Sequence, residues 1–258
     1  MARKKKLSRE DEEEIVHSMS DREAAKNPLN AHIELKCKTV NQKKFIGLIQ
    51  DKEIVIGAGF AGTGKTFLSC AKALLLLKQN PKFRKIMLVK SVTGLKGEDV
   101  GFLKGTLDDK MAPFMESFKD NFRKIVGHAA TEALVHMGMI EVQPLSFVRG
   151  RTIDNTIIII DEAQNISFDN MKSILTRIGE NSKIIVIGDT KQIDLKDKRE
   201  SSLHQIMDKF GKHSAFGVMQ FERSDQVRNP LINIIEEVFD EIELENEANK
   251  KPAVKRVF

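Results

Sequence analysis

Tryptophan and tyrosine are absent from these 258 residues, and cysteine occurs only at Cys37 and Cys70. Two cysteines cannot build a disulfide framework, so a reducing cytoplasm is the expected setting. Without Trp or Tyr, any stacking on a nucleobase falls to phenylalanine. There are 15 of these; Phe102 and Phe147 are the candidates, and most of the others belong to a core. No apolar run approaches the ~20 residues that a membrane helix needs. Arg3, Lys4, Lys5 and Lys6 are followed by acids where a secretory signal needs an apolar stretch, so no signal peptide is expected. The six histidines show no metal-ligand spacing, and no internal repeat is visible.

The charge is uneven. Residues 1–29 balance seven basic against seven acidic side chains, and 236–258 net −3, which leaves +8 on 30–235 out of +5 overall. A basic middle fits a polyanionic partner, although many soluble proteins are as basic without one. Residues 1–30 are charged and poor in large apolar side chains, and read as a mobile or loosely helical arm. A charged tail follows residue 240.

Between them the apolar pattern alternates between two periods. HIELKCK (32–38) alternates like a short strand. TVNQKKFIGLI (39–49) has helical spacing, with Thr39 and Gln42 placed as a capping box. Strands are then expected at 53–58, 85–90, 140–145, 156–161, 183–189 and 215–221. Helices are expected at 67–78, near 107–125 and 129–137, at 168–178 and 202–210, and from Pro230. Short continuous apolar strands alternating with helices indicate an α/β fold with a mostly parallel sheet and helices on both faces.

One stretch carries the chemistry. GFAGTGKT (59–66) follows an apolar strand and opens a long helix, and its spacing is that of a P-loop. Gly59, Ala61, Gly62, Thr63 and Gly64 would wrap backbone N–H groups around phosphate, Lys65 would reach the β/γ-phosphates, and the Thr66 hydroxyl would ligate Mg²⁺. A P-loop needs a second carboxylate for the metal. IIIIDE (157–162) supplies Asp161 for that role at the carboxyl end of a strand, and Glu162 to polarise the attacking water. GDTKQID (188–194) ends another strand and places Gln192 as a γ-phosphate sensor. The same stretch lacks the Asn/Thr-Lys-x-Asp register of a guanine site, which favours ATP. Gln42 stands upstream of the P-loop at a spacing that suits either an adenine-reading amide or the capping box with Thr39.

DEAQN (161–165), GDTKQID and the P-loop together resemble superfamily 1 helicase motifs, and more closely those of the PhoH family of P-loop ATPases. KGEDVGFLKG (96–105), SFVRGRT (146–152), LTRIG (175–179) and QVRNPL (226–231) match as well. The resemblance runs over roughly 38–240. Phe60 stands where the family usually has Pro, Lys90 where the second strand commonly ends in Arg, and Lys104 where Pro is usual. The resemblance implies a compact, variant member of the kind common among phages. The resemblance implies a single RecA-like P-loop NTPase domain over 31–240, between an arm at 1–30 and a tail at 241–258. It implies ATP and Mg²⁺ as cofactors, and RNA or single-stranded nucleic acid as partner. A superfamily 1 motor closes two RecA-like domains around ATP. With one such domain, the arginine facing the γ-phosphate is expected from a neighbour in a homo-oligomer, as in a hexameric ring. Arg228 is the first candidate and Arg177 the second. Arg149, Arg151, Lys90 and Lys96 are candidates for nucleic-acid phosphates. The alternatives are an ATP-controlled binding module without motor activity and, with no recognisable carboxylate set, a nuclease.

Overall fold

In a computed structural model of the chain, the apolar runs become a six-stranded parallel sheet in the order β3-β2-β4-β5-β1-β6. The structure describes residues 26–90, 107–148, 150–195 and 197–227, with position 23 and scattered positions between 231 and 245. The strands are β1 (Ile54–Gly59), β2 (Lys85–Lys90), β3 (Ile140–Pro144), β4 (Thr156–Asp161), β5 (Lys183–Gly188) and β6 (Phe216–Phe221). The helices are α1 (Val40–Asp51), α2 (Lys65–Gln79), α3 (Leu107–Val126), α4 (His128–His136), α5 (Leu145–Val148), α6 (Phe168–Leu175) and α7 (Leu203–Phe210).

The central strands read as unbroken isoleucine and valine because both of their faces are covered. Ile157, Ile159, Ile185 and Ile187 point to one side, where they join Phe45, Leu68, Leu74, Phe118, Phe122 and Leu134 of α1–α4. Ile158, Ile160, Ile184 and Val186 point to the other and join Val148, Met171, Ile174, Leu203 and Ile206 of α5–α7. All eight strand residues are fully buried. Each contributes about 1.5–3 kcal/mol by leaving water, and truncating one to Ala would cost about 2–5 kcal/mol.

Two expectations need correction. HIELKCK forms no strand: residues 32–38 join no ladder. Its alternation is real, since Ile33, Leu35 and Cys37 pack on the α1–α4 core, but the segment is an extended strap. Lys78 of α2 donates to the Ala31 carbonyl at its start, which places the strap over helices and away from a sheet edge. Period two reports an extended chain with one face buried, and says nothing about backbone pairing. Likewise α6 stops at Leu175, short of residue 178, because Ile178 pairs with Ile153 in an isolated bridge. The arm expected at 1–30 lies outside the described residues up to 22, and the tail lies outside them apart from Glu241, Ile242 and Glu245, which are helical.

One strand, β5, separates the P-loop strand β1 from β4, which carries Asp161. This is a RecA-like P-loop domain. The carboxyl ends of β1, β4 and β5 therefore open into one crevice, the usual place for a ligand in an open α/β sheet.

Candidate active site

Backbone conformation shapes the loop between β1 and α2. Gly59 has φ 140° and Gly64 has φ 83°. A Cβ at Gly59 would stand 2.2 Å from the Phe221 carbonyl oxygen, and one at Gly64 would stand 3.3 Å from Gln42 Nε2. Glycine is required at Gly59 by its neighbour and at Gly64 chiefly by its backbone.

The loop is braced through its carbonyl groups by α1 and by the turn after β6. Gln42 Nε2 donates to the Thr63 carbonyl at 3.0 Å, while its Oε1 accepts from the Lys38 N–H at 2.6 Å. Gln226 Nε2 donates to the Ala61 carbonyl at 3.0 Å, and the Val227 N–H donates to the Gly62 carbonyl at 3.1 Å. Asn41 Nδ2 donates to Asp225 Oδ2 at 2.8 Å and joins α1 to the turn after β6. Burial opposes ionisation of Asp225, but hydrogen bonds from Asn41, Thr39 and the Glu222 N–H outweigh it and hold the carboxyl below its usual range. The capping box is half present: Thr39 Oγ1 accepts from the Gln42 N–H at 3.1 Å, but the Gln42 side chain has gone to the P-loop.

Lys65 is buried, and its Nζ donates to the carbonyls of Gly59 at 2.9 Å and Phe60 at 2.6 Å and to Thr63 Oγ1 at 3.2 Å. Across the crevice, Thr66 Oγ1 donates to Asp161 Oδ2 at 3.4 Å. Burial pushes the Asp161 carboxyl up to about 6, and the nearby Glu162 carboxylate adds to the effect. The Glu162 N–H (2.9 Å to Oδ1), Lys90 and Thr66 pull the other way. Lys90 is the cross-strand partner of Asp161, so a cation stands beside the carboxylate here too.

Glu162 has φ 53°, a left-handed conformation that a glutamate adopts only when its surroundings hold it there. Its Oε2 accepts from Gln164 Nε2 at 2.7 Å, and Gln164 Oε1 accepts from the Asp189 N–H at 2.9 Å. One buried glutamine thus ties the tip of β4 to the tip of β5. Asn165 and Asp194 repeat the tie: Asn165 Nδ2 donates to Asp194 Oδ2 at 3.1 Å, and the Asp194 N–H donates to Asn165 Oδ1 at 2.8 Å. Phe60 adds a third tie, since Lys191 Nζ lies 5.2 Å and Arg223 Cζ 5.5 Å from its ring centroid.

These elements enclose a cleft of about 420 Å³ lined by Ala61, Gly62, Gly64, Lys65, Thr66, Phe67, Asn121, Lys124, Asp161, Glu162, Gly188, Asp189, Gln192 and Val227. Gly59 and Thr63 lie beneath it, holding Lys65. A hydroxyl and a carboxylate meeting beside a buried lysine form a hard-oxygen set that fits Mg²⁺ carried with nucleotide phosphates, where waters and phosphate oxygens complete the shell. Among the described residues no three His, Cys, Asp or Glu side chains group to hold a metal alone. A dication at this position would favour the ionised form of Asp161.

The structure therefore brings together the P-loop residues, Asp161, Glu162 and Gln192, and places Gln42 behind them. Arg228 lies outside the described residues, as do Arg149, Lys96 and Phe102; Val227, the neighbour of Arg228, lines the cleft. Arg177 stands at the opposite end of the sheet, where its carbonyl accepts from the Ile153 N–H. It is not among the residues that line the cleft. Sequence reasoning missed Asn121 and Lys124. They come from the far end of α3, which ion pairs of Lys119 and Arg123 with Glu132 fasten to α4. No spacing signal links α3 to a P-loop. Gln164 was visible inside DEAQN, but its bridging role was not.

A family model described as PhoH-like protein matches residues 34–240. The PhoH-like protein of Bacillus subtilis is 36% identical over 235 residues, covering 91% of this chain and 72% of the relative. The PhoH-like protein of Mycobacterium tuberculosis is 37% identical, covering 80% and 58%, and Protein PhoH of Escherichia coli K12 is 34% identical, covering 74% and 54%. The chain thus spans between about half and three quarters of the length of these relatives. Among solved structures, the Sulfolobus solfataricus SWI2/SNF2 ATPase core in complex with dsDNA aligns with a TM-score of 0.45 at 12% identity, covering 75% of this chain and 46% of that one. The UvsW helicase from bacteriophage T4 aligns at 0.43 and 13%, covering 85% and 69%.

Proposed function

This chain belongs to the PhoH-like family, and from its site we propose a Mg²⁺-dependent ATPase that hydrolyses ATP to ADP and phosphate. Hydrolysis is coupled to binding or remodelling RNA or single-stranded nucleic acid. The observation that carries the reading is the meeting of Thr66 and Asp161 at 3.4 Å beside Lys65, with Glu162 adjacent and oriented by Gln164. Lys65 exchanges its loop carbonyls for β/γ-phosphate oxygens. Thr66 and Asp161 would hold Mg²⁺, which when bound would neutralise charge on those oxygens. Glu162 accepts the proton of the attacking water, and Gln192 contacts the γ-phosphate from the rim.

The described cleft residues include no arginine; Lys124 is the cation there besides Lys65. For the transition-state arginine Arg228 is the first candidate and Arg177 the second, and a homo-oligomer, with a hexameric ring as one form, would let a neighbour present it. The basic middle of the chain suits a nucleic-acid backbone. Among the described residues no helix is long and apolar enough to cross a membrane.

The test is ATP turnover by the purified chain with and without single-stranded RNA and DNA, alongside its mass in solution. Glu162→Gln should still bind ATP while hydrolysis falls at least ~10²-fold. Binding lost together with hydrolysis would make Glu162 a metal or structural ligand. Turnover indifferent to a bound strand would point to an ATP-controlled binding module without motor action.

A further inference from the structure

We propose that a groove over β2 and β3, on the sheet face opposite α2, is a pocket for one base of a single-stranded nucleic acid. The proposal rests on the reading that this chain binds such a strand. The groove has a volume of about 370 Å³, with Met87, Glu141 and Gln143 along its floor and α5 and residues 151–154 as its walls.

The floor is unusual for its position. Where the same sheet face continues over β4 and β5 it carries Ile158, Ile160, Ile184 and Val186, covered by α6 and α7. At the edge strand β3 it presents Glu141 and Gln143, both half-buried. Glu141 is neutralised by Lys85 at 2.7 Å. No hydrogen bond to the Gln143 amide is found among the described residues, so its NH2 donors and its carbonyl acceptor are offered to the groove that it lines. Phe147 stands at the mouth with half of its surface exposed, and the exposed Arg151 has no carboxylate partner among the described residues.

A planar π-face, an amide and a guanidinium around one small cavity match two parts of a nucleotide, its base and its phosphate. Phe147 stacks on the base, Gln143 hydrogen-bonds its edge, and Arg151 meets the phosphate. An apolar side chain from a protein partner would bury Gln143 and leave it unsatisfied. The volume lies at the small end for ligand pockets, which admits a single base and excludes a duplex. The pocket gives a role to SFVRGRT, which supplies both Phe147 and Arg151 and has no place in the ATP cleft. It also lies along β2, the strand that ends in Lys90 beside Asp161.

The experiment titrates a fluorescently labelled single-stranded RNA with the full chain, as wild type, Phe147→Ala, Phe147→Leu, Gln143→Ala and Arg151→Ala. Melting temperature and basal ATPase activity serve as controls, and neither should change. Phe147→Ala should weaken binding by about 5- to 150-fold, the range for one stacked base, with the salt slope unchanged. Phe147→Leu should fall between, and Arg151→Ala should lower the salt slope by about one. A photoreactive thiouridine strand should crosslink to the peptide containing Phe147, a readout that survives if Phe147→Ala fails to fold. Wild-type affinity in Phe147→Leu and Gln143→Ala with no crosslink would overturn the pocket while leaving strand binding intact. A change confined to the mass in solution would also overturn it and make the groove an interface between copies. If the wild type binds no strand at low salt, the parent reading fails and the pocket with it.

Discussion

Replacing Gln164 with leucine removes two hydrogen bonds at nearly constant volume, and the structure indicates what each loss does. The Asp189 N–H loses its acceptor at a position that is 7% exposed, so a buried donor is stranded at a cost of about 1–3 kcal/mol. The Glu162 carboxylate loses its donor at 2.7 Å but is half-buried and can turn to water, so this second loss costs little stability. It has a larger effect on orientation. Glu162 already sits in a left-handed backbone conformation, and Gln164 is the side chain that fixes its carboxylate. Freed of it, Glu162, the proposed general base, should sample unproductive directions, and kcat should fall by about 10- to 100-fold. KM and ADP affinity should stay within about 3-fold, because the residues that hold the phosphates are untouched. Gln164→Glu separates the two effects: it can still accept from the Asp189 N–H but sets a second carboxylate against Glu162. That variant should keep more stability than Gln164→Leu and lose at least as much kcat. Urea denaturation gives the stability change, and steady-state kinetics over a range of ATP concentrations splits kcat from KM. Unchanged kcat in Gln164→Leu, whatever the stability loss, would refute the positioning role.

Three further outcomes are expected. Gln42→Ala should weaken ATP and GTP binding alike, because both ends of the amide are engaged by backbone; a loss confined to ATP in paired titrations would restore it as an adenine reader. Lys65→Ala should weaken nucleotide binding by ~10-fold or more and abolish turnover; mixing it with Arg228→Ala should restore some ATPase activity if the arginine acts across an interface, and no recovery from two assembled, inactive variants would place Arg228 in cis. Burial pushes Lys183 down to about 8, against a smaller pull from Glu53 and Asp51. Between pH 8 and the ordinary lysine range the unfolded chain then binds more protons than the folded one, so this residue makes stability rise with pH in that window and adds no slope below it. Chemical denaturation at pH 7.5 and 9.5 should show a rise for the wild type that is smaller in Lys183→Met; equal slopes would refute it.

Those expectations draw on two kinds of information. The strands at 85–90 and 156–161 were legible to the residue, because a strand buried on both faces must be continuously apolar and no helix of six residues could compete for the same pattern. The P-loop was equally legible, since its shape depends on local backbone geometry and Gly59, Gly62 and Gly64 fall within one short stretch. Asp161 and Glu162 could be read because topology places the carboxyl ends of parallel strands together whatever the loops do. HIELKCK misled because alternation records which side chains are buried, while strand pairing depends on whether a neighbouring backbone is within reach. Gln164, Lys124 and the Gln226 brace were beyond the sequence for one shared reason: each meets a partner tens of residues away, Asp189 for Gln164, Ala61 for Gln226 and the wall of the cleft for Lys124. Contacts of that kind leave no period and no spacing, and only the pairing of β4 with β5 and the packing of α3 and the turn after β6 around the glycine loop decided them.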